Sequence, residues 1–238
     1  MTCAMILQAR MASTRLPGKI LQKAGGRTIL EWVIRSSQRV PGIDVVCVAV
    51  PFGEVNEPVA AEALRCGAVV TRGSETDVLD RFRVAAEAIG ATEVMRVTTD
   101  CPLSDPAING EVLALRRREN ADYACNNEPF TFPHGLDCEA FTRDALDRAA
   151  ARATQPYDRE HVTPWLKSDA SIRRAYLRGP GGERAQWRWT VDYPEDLRFF
   201  RAIAERLGED LSDWRKVTAL LERHPELHDI NRARRQRS

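Results

Sequence analysis

The sequence lacks an excess of charge of either sign. Its 238 residues include 35 basic and 34 acidic side chains, for a net charge of +1, so the overall charge offers no attraction to nucleic acid. It also lacks long apolar runs: none approaches the length of a membrane span, and the apolar stretch before Arg10 is too short for the core of a signal peptide. We therefore expect a cytoplasmic protein that has neither nucleic acid nor a membrane as a partner.

Sulfur and imidazole ligands for a metal are few and scattered. The six cysteines never form a C-x-x-C pair, so a zinc site is not predicted, and we expect these thiols to be reduced and mostly buried. His224 and His228 lie close in sequence, but Pro225 separates them and no third ligand is near. They are predicted to be surface residues rather than metal ligands.

A basic loop follows the first predicted strand, which covers residues 3–8. Its three cations, Arg10, Arg15 and Lys19, are separated by small hydroxyl residues and a Pro-Gly turn. At the carboxyl end of a first strand such a loop suits a triphosphate, because its cations and backbone N–H groups can both contact phosphate oxygens. Only four of the 35 basic residues are lysine, so Lys19 stands out as a compact point charge. The alternative is a solvated basic loop without a ligand.

Predicted strands and helices alternate through the first 125 residues, which is typical of a mainly parallel sheet. Strands are predicted at 3–8, 45–50, 68–71, 93–98, 122–125, 172–177 and 187–191, and helices at 28–39, 57–66, 76–89, 105–118, 143–154, 159–167, 195–207 and 211–223. We expect one three-layer α/β/α domain over residues 1–228. Within it, residues 126–185 depart from the alternation, and the basic segment 229–238 is predicted to be a disordered tail.

Two aspartates follow predicted strands. Asp100 follows the strand at 93–98, and Asp192 follows the strand at 187–191. Ligands of α/β proteins bind at the carboxyl edge of the sheet, where two carboxylates can share one Mg²⁺. Either aspartate could instead cap the helix that follows it, so only their convergence would indicate a metal site. We expect them to lie within about 8 Å of each other, the range over which two carboxylates share an ion directly or through water.

Residues 6–21 resemble the opening signature of the sugar-acid cytidylyltransferases, which activate sugar acids as CMP-sugars. The resemblance continues in order through residues 72–79, 96–103, 133–137, 159–164 and 189–197. It is strongest to the branch described as spore-coat polysaccharide biosynthesis cytidylyltransferases. The resemblance implies a Rossmann-like nucleotide-diphospho-sugar transferase fold and transfer of CMP from CTP to a small acidic sugar, with release of pyrophosphate. It also implies Mg²⁺ as cofactor, a role in surface or spore polysaccharide synthesis, and a homodimer built with residues 126–185.

The resemblance also implies roles for individual residues. Arg10, Arg15 and Lys19 are predicted to assist catalysis, and Asp100 and Asp192 to bind the metal. Nucleotide contacts are predicted for Gln8, Ala9, Arg10, Ser13, Lys19, Arg72 and Ser74. Contacts to the acidic sugar are predicted for His134, Asp137, Glu139, Arg159, Glu160 and His161. Purely structural roles remain open for several of these residues: a turn for Arg72 and Ser74, a core position for His161, and an ion pair for Glu160.

Two other functions fit parts of the sequence. A glycosyltransferase that consumes a nucleotide-sugar would need a D-x-D motif after a middle strand, whereas residues 98–102 contain the single aspartate Asp100. A non-catalytic nucleotide- or sugar-binding module would tolerate the loss of Asp100 or Asp192, yet both are present beside an intact basic loop. The identity of the sugar cannot be read from the sequence, and cytosine is implied by the resemblance alone.

Overall fold

A seven-stranded sheet forms the centre of the protein, which we describe from a computed structural model over residues 1–234. The strands are β1 (Cys3–Gln8), β2 (Lys23–Ala24), β3 (Arg27–Thr28), β4 (Val45–Pro51), β5 (Val69–Gly73), β6 (Glu93–Arg96), β7 (Tyr123–Cys125), β8 (Glu139–Thr142) and β9 (Arg174–Tyr176). β2 and β3 pair with each other, and the other strands lie in the order β5-β4-β1-β6-β8-β7-β9. Within the seven-stranded sheet, β8 runs antiparallel to β6 and β7 and the other neighbouring pairs are parallel, which confirms the predicted, mostly parallel sheet.

Helices cover both faces of this sheet. They are α1 (Ile29–Gln38), α2 (Glu57–Arg65), α3 (Val78–Ala88), α4 (Pro106–Arg118), α5 (Arg143–Arg152), α6 (Pro156–His161), α7 (Pro164–Ser168), α8 (Pro194–Leu207) and α9 (Trp214–Arg223). Side chains alternate between the two faces along a strand. In β1, Ile6 packs in the same hydrophobic cluster as Phe82 of α3, whereas Leu7 packs in the cluster that contains Val33 of α1. Two hydrophobic layers therefore enclose the sheet, as the predicted three-layer arrangement requires.

The helix predicted at 159–167 is wrong, because the chain forms the two short helices α6 and α7 instead. Val162 separates them with a φ of 72°, outside the helical region. Pro164 then begins α7, and it has no N–H with which to continue the preceding helix. The break leaves His161 as the last residue of α6, facing the cleft described below.

The segment predicted as a strand at 187–191 is extended but does not join the sheet. It forms a β-bridge with a single residue, His134. The backbone N–H of His134 donates to the carbonyl of Trp187 at 2.9 Å, and the carbonyl of His134 accepts from the N–H of Trp189 at 2.7 Å. The N–H of Leu136, which would continue the pairing, donates instead to the carbonyl of Pro133 at 3.1 Å, so the chain turns and no ladder forms. Strand β8, by contrast, is not predicted from the sequence, because it lies in the segment 126–185, where the alternation of strands and helices breaks down.

Part of the predicted tail packs against the domain. The side-chain amide of Asn231 is buried and donates to the carbonyl of Arg188 and to Asp196 Oδ1, each at 3.1 Å. The Arg234 guanidinium lies 4.1 Å from the centre of the Tyr193 ring. Residues 231 and 234 thus contact the domain, residues 235–238 lie outside the described residues, and the disordered tail stays a prediction. Among residues 1–234, no helix combines the length and apolar character needed to cross a bilayer.

Candidate active site

A cleft of about 360 Å³ opens where β1 and β6 end. The predicted site residues that line it are Gln8, Ala9, Arg10, Ser13, Arg15, Lys19, Asp100, Glu160, His161 and Asp192. The basic loop and both aspartates therefore face one cavity at the carboxyl edge of the sheet, although Asp100 and Asp192 are far apart in sequence.

The Lys19 ammonium lies between the two aspartates. Its Nζ is 2.9 Å from Asp192 Oδ1 and 3.4 Å from Asp100 Oδ2, and it donates to the carbonyl of Val191 at 3.0 Å. Since both carboxylate oxygens contact one nitrogen, their separation cannot exceed the sum of those two distances. That is well inside the limit of about 8 Å expected for a pair that shares an ion.

Local backbone geometry aims Lys19 at the cleft. Gly18, just before it, has a φ of 62°, a left-handed conformation that residues with a Cβ adopt rarely. Lys19 then begins the short 3₁₀ helix Lys19–Leu21, and the buried side chain of Ile20 anchors this turn in the core. The Pro-Gly turn seen in the sequence thus sets the direction of the lysine side chain.

The segments that carry the two aspartates are joined directly. The N–H of Val191 donates to the carbonyl of Asp100 at 2.8 Å. Gly135 has a φ of 117°, and a Cβ there would lie 2.8 Å from the carbonyl carbon of Trp189, so a larger residue would push the extended segment away. The backbone itself therefore holds Asp192 beside the end of β6.

Three cations surround the buried carboxylate of Asp192. Arg15 Nη2 and Lys19 Nζ each lie 2.9 Å from Oδ1, and Arg188 Nη2 lies 2.7 Å from Oδ2. Asp100 is more open to the cleft, with 27% of its side chain exposed. The two carboxylates are thus unequal: Asp192 is fixed inside an ion cluster, and Asp100 faces the space where a ligand would bind.

Neither aspartate caps a helix. The N-cap of α4 is Asp105, whose Oδ1 accepts from the N–H of Ala107 at 2.7 Å. At the start of α8, Asp196 Oδ2 accepts from the N–H groups of Asp192 and Tyr193, each at 3.0 Å. The capping role that the sequence leaves open is therefore excluded for both Asp100 and Asp192.

Neighbouring charges keep the lysine and the open aspartate ionised. Burial by itself would raise the pKa of Asp100, but the Lys19 charge and a hydrogen bond from Thr98 outweigh it and hold that pKa at about 2. Burial would lower the pKa of Lys19, but Asp100 and Asp192 outweigh it and raise that pKa. At neutral pH the cleft therefore contains an ammonium between two carboxylates.

Within the described part of the chain, six of the predicted site residues do not line the cleft. They are Arg72, Ser74, His134, Asp137, Glu139 and Arg159. Arg72 forms a two-point ion pair with Glu57, at 2.7 and 2.8 Å. The hydroxyl of Ser74 accepts from the N–H of Asp77 at 3.0 Å, in the turn that starts α3. Arg72 therefore links β5 to the first residue of α2, and Ser74 stabilises the turn before α3.

The remaining four make contacts of their own. Arg159 pairs with Asp77 and donates to the carbonyl of Ala150 at 2.7 Å, so it links α6 to α3 and α5. Asp137 accepts from the N–H of Gly135 at 2.9 Å and lies 3.8 Å from the His134 ring. The two contacts of Asp137 stabilise the loop beside Asp100. The sugar contacts expected of these residues stay predictions.

Glu139 lies behind the cleft, in a buried cluster of polar groups. Its carboxylate is 2.5 Å from Arg96 Nη1 and 3.2 Å from Lys167 Nζ, and it accepts from the hydroxyls of Tyr123 at 2.6 Å and Thr163 at 2.8 Å. Burial by itself would raise the pKa of Glu139, but Arg96 and Lys167 outweigh it and lower that pKa to about 2.

A Glu139→Gln protein is expected to be less stable by about 3–5 kcal/mol at pH 7, because two partly buried cations, Arg96 and Lys167, lose their shared counter-ion. The pKa of Glu139 is lower in the folded than in the unfolded state, so its contribution is present above pH 4.5 and fades as the pH falls toward about 2. Urea unfolding at several pH values would test this, with the exposed Glu119→Gln as control. A difference between wild type and Glu139→Gln that stayed constant down to about pH 2 would contradict the assignment.

Two arginines of the cleft were not predicted as site residues, Arg81 and Arg96. Arg96 is the first residue of the segment 96–103, which carries part of the family resemblance. Its position in that segment is the sequence feature that could have indicated a site residue. Arg81 is the fourth residue of α3, at the end of the first turn, and its direction into the cleft depends on how that helix packs.

Residues 4–213 match the sequence profile of the family described as Cytidylyltransferase. The chain belongs to the cytidylyltransferase family. It is 31% identical over 230 residues to the spore coat polysaccharide biosynthesis protein SpsF of Bacillus subtilis, a match that covers 93% of this chain and 94% of SpsF. This confirms the resemblance carried by the sequence motifs.

Solved structures of other cytidylyltransferases share the fold. A cytidylyltransferase from Leptospira borgpetersenii superposes with a TM-score of 0.88 at 26% identity, covering 95% of this chain and 96% of that one. A CMP:2-keto-3-deoxy-manno-octonic acid synthetase solved in complex with CTP gives a TM-score of 0.66 at 18% identity, over 87% of this chain and 99% of that one. At that identity the second match shows the fold alone.

Proposed function

We propose that this cytidylyltransferase transfers CMP from CTP to a sugar acid with Mg²⁺ as cofactor and releases pyrophosphate. The observation that carries the proposal is the convergence of Lys19, Asp100 and Asp192 in one cleft lined by the basic loop. The CTP complex of a synthetase with the same fold and the polysaccharide role named for SpsF support the choice of nucleotide and acceptor.

In this reaction an oxygen of the sugar bonds to the α-phosphorus of CTP as the bond from that phosphorus to pyrophosphate breaks, and the sugar hydroxyl loses its proton. The protein has to hold the two oxygens in line and neutralise charge. Arg10, Arg15 and Lys19 provide that charge from one loop. A cation about 4 Å from a developing oxyanion is worth roughly 4 kcal/mol at an effective dielectric near 20.

The donor set at the edge of the sheet suits magnesium. Asp100 and Asp192 offer hard carboxylate oxygens, which Mg²⁺ prefers. Both carboxylates contact the same atom, Lys19 Nζ, so their oxygens lie close together in the cleft. These two residues would hold the ion, which when bound would polarise phosphate oxygens and offset the charge of the leaving pyrophosphate. Lys19, whose Nζ reaches both carboxylates, is close enough to contact phosphate oxygens beside them.

The other loop residues would hold the nucleotide. Gln8, Ala9 and Ser13 line the same cleft as Arg10 and Lys19.

We further propose a homodimer formed through residues 126–185. Phe130, in this segment, is 56% exposed and could contribute to such an interface, whereas Phe132 is buried against Trp214.

The proposal predicts pyrophosphate release from CTP that depends on both Mg²⁺ and a sugar acid. We would measure it with CTP, ATP, GTP and UTP against a panel of 3-deoxy and nonulosonic sugar acids, with the exposed Arg118→Ala as a control for handling. CTP is expected to be the preferred nucleotide, and mass spectrometry should detect a CMP-sugar. Consumption of a nucleotide-sugar without pyrophosphate release would instead identify a glycosyltransferase and refute the proposal.

A further inference from the structure

The turn that carries Asp192 is bridged by the side-chain amide of Asn231. This turn begins at Arg188, in the extended segment, and ends at Asp196, the third residue of α8. Asn231 Nδ2 donates to the carbonyl of Arg188 and to Asp196 Oδ1, each at 3.1 Å. The amide therefore joins the two ends of the turn, and Asp192 lies midway between them in the sequence.

Asp196 connects this bridge to the backbone at Asp192. The carboxylate of Asp196 is fully buried, and its Oδ2 accepts from the N–H groups of Asp192 and Tyr193, each at 3.0 Å. Its other oxygen accepts from the Asn231 amide. Hydrogen bonds to an ionised acceptor are stronger than those between neutral groups. The position of the Asp192 backbone therefore depends on where Asn231 holds Asp196.

Arg188 connects the bridge to the carboxylate of Asp192. Its Nη2 lies 2.7 Å from Asp192 Oδ2, and its Nε lies 3.1 Å from Asp196 Oδ1. Arg188 is buried and is not among the described residues that line the cleft. Arg15 and Lys19, which contact Asp192 Oδ1, do line it. Arg188 therefore holds Oδ2 away from the cleft, while Oδ1 faces it.

Asn231 reaches this turn because the segment before it packs in the core. The short 3₁₀ helix Pro225–Ile230 buries Leu227 in the hydrophobic cluster that contains Phe199 and Phe200 of α8. Asn231 follows this helix directly and is itself buried. The match to the sequence profile of the family ends at residue 213, so this amide comes from a part of the chain beyond the match.

The buried polar network of Asn231, Asp196 and Arg188 fixes a geometry more than it adds stability. Removing charged groups from water is costly, and this cost offsets much of the attraction between them. A fully hydrogen-bonded network of this kind is rigid, however, because few arrangements satisfy all of its members at once. The rigid arrangement ends at Asp192 Oδ1 in the cleft, beside Lys19.

We propose that Asn231 is a positioning residue that acts through Asp196 and Arg188 to keep Asp192 Oδ1 directed into the cleft, an inference that rests on the proposed Mg²⁺-dependent transfer. Mg²⁺ demands near-ideal octahedral geometry, so a carboxylate that moves out of place binds the ion less tightly. Loss of a group that orients a metal ligand weakens metal binding by about 10- to 100-fold. Asn231 acts through two intermediate residues, so we expect the lower end of that range.

The test compares Asn231→Asp with Asn120→Asp, the same change at an exposed asparagine. Aspartate has the size of asparagine, but its ionised side chain donates no hydrogen bond. Mn²⁺ is titrated into the protein with and without CTP, and into CTP alone as a blank, and the electron paramagnetic resonance signal of the free ion reports binding. We expect Asn231→Asp to raise the Kd for Mn²⁺ by about 10-fold, and the Mg²⁺ concentration for half-maximal pyrophosphate release by a similar factor. Asn120→Asp should match wild type.

A second variant and a second measurement separate positioning from folding. Asn231→Ala removes the donor without adding a charge beside Asp196, so it should fold if Asn231→Asp does not, and it should weaken Mn²⁺ binding in the same direction. An unfolded fraction would lower the number of Mn²⁺ sites but not the Kd of the folded protein. Hydrogen exchange of the Asp192 and Tyr193 amides, measured without metal, should be faster in both variants, because these amides bond to Asp196.

Metal binding also distinguishes this inference from the proposed function. Wild type that binds Mn²⁺, with a higher Kd in the Asn231 variants, but releases no pyrophosphate from CTP would refute only the proposed function. Wild type that turns over CTP, with the same Kd for Mn²⁺ in Asn231→Asp as in Asn120→Asp, would overturn the inference and leave the proposed function intact. Unchanged exchange of the Asp192 and Tyr193 amides would overturn it as well, because the turn would then not depend on Asn231.

Discussion

An Asp100→Asn protein is expected to lose at least about 10³-fold in the rate of pyrophosphate release, because one of two anionic ligands for a hard cation becomes a neutral amide. Asp100 caps no helix and is partly open to the cleft, so the change should leave the fold and the melting temperature nearly unaltered. Lys19 keeps its closer partner, Asp192, at 2.9 Å. The loss should therefore come from chemistry rather than from unfolding.

The control for this variant is Asp80→Asn, which neutralises an aspartate on α3 paired with Arg83 at the surface. It should keep wild-type activity. Asp192→Asn should also abolish activity, but it should lower the melting temperature as well, because Arg15, Lys19 and Arg188 all contact this buried carboxylate. Activity of Asp100→Asn within about 3-fold of wild type would contradict a metal role for Asp100.

Replacing Lys19 by alanine should slow pyrophosphate release by on the order of 10²-fold or more, corresponding to about 2–4 kcal/mol of lost transition-state stabilisation. The lysine ammonium is the cation that reaches the centre of the site, and neither Arg10 nor Arg15 contacts both carboxylates. With Lys19 removed, the pKa of Asp100 should rise, because the Lys19 charge is the largest of the interactions that lower it.

Lys23→Ala is the matched control, since Lys23 is exposed, lies four residues further along the chain and does not line the cleft. It should leave activity unchanged. Circular dichroism should show that Lys19→Ala keeps its fold, because Arg15 and Arg188 still neutralise Asp192. Near-normal pyrophosphate release by Lys19→Ala would mean that the basic loop does not serve catalysis.

The convergence of Lys19, Asp100 and Asp192 could be predicted from the sequence. Each residue follows a buried apolar segment, and the rule that ligands bind at the carboxyl edge of an α/β sheet needs no knowledge of side-chain direction. Residues 187–191 do not join the sheet as predicted, but the segment is extended and donates to the carbonyl of Asp100. Asp192 therefore still lies at the edge of the sheet.

The positions of the residues outside the basic loop and the two aspartates could not be predicted in the same way, because the direction of each side chain depends on packing. Arg159 is on α6 and Arg81 is on α3, and only the contact between these helices decides that Arg159 pairs with Asp77 while Arg81 faces the cleft. Glu139 belongs to β8, a strand in the segment 126–185 where the sequence shows no regular alternation of strands and helices. Its pairing with Arg96 follows from the antiparallel register of β8 on β6.

The most direct test of the central claim is to locate a divalent ion in crystals of the protein grown with CTP and Mn²⁺, whose anomalous signal identifies the metal. The proposed mechanism predicts a peak within bonding distance of carboxylate oxygens of both Asp100 and Asp192, with the Lys19 ammonium on a phosphate oxygen. The peak should disappear in Asp100→Asn crystals. Manganese held elsewhere, with Lys19 still bridging the two carboxylates beside bound CTP, would contradict it.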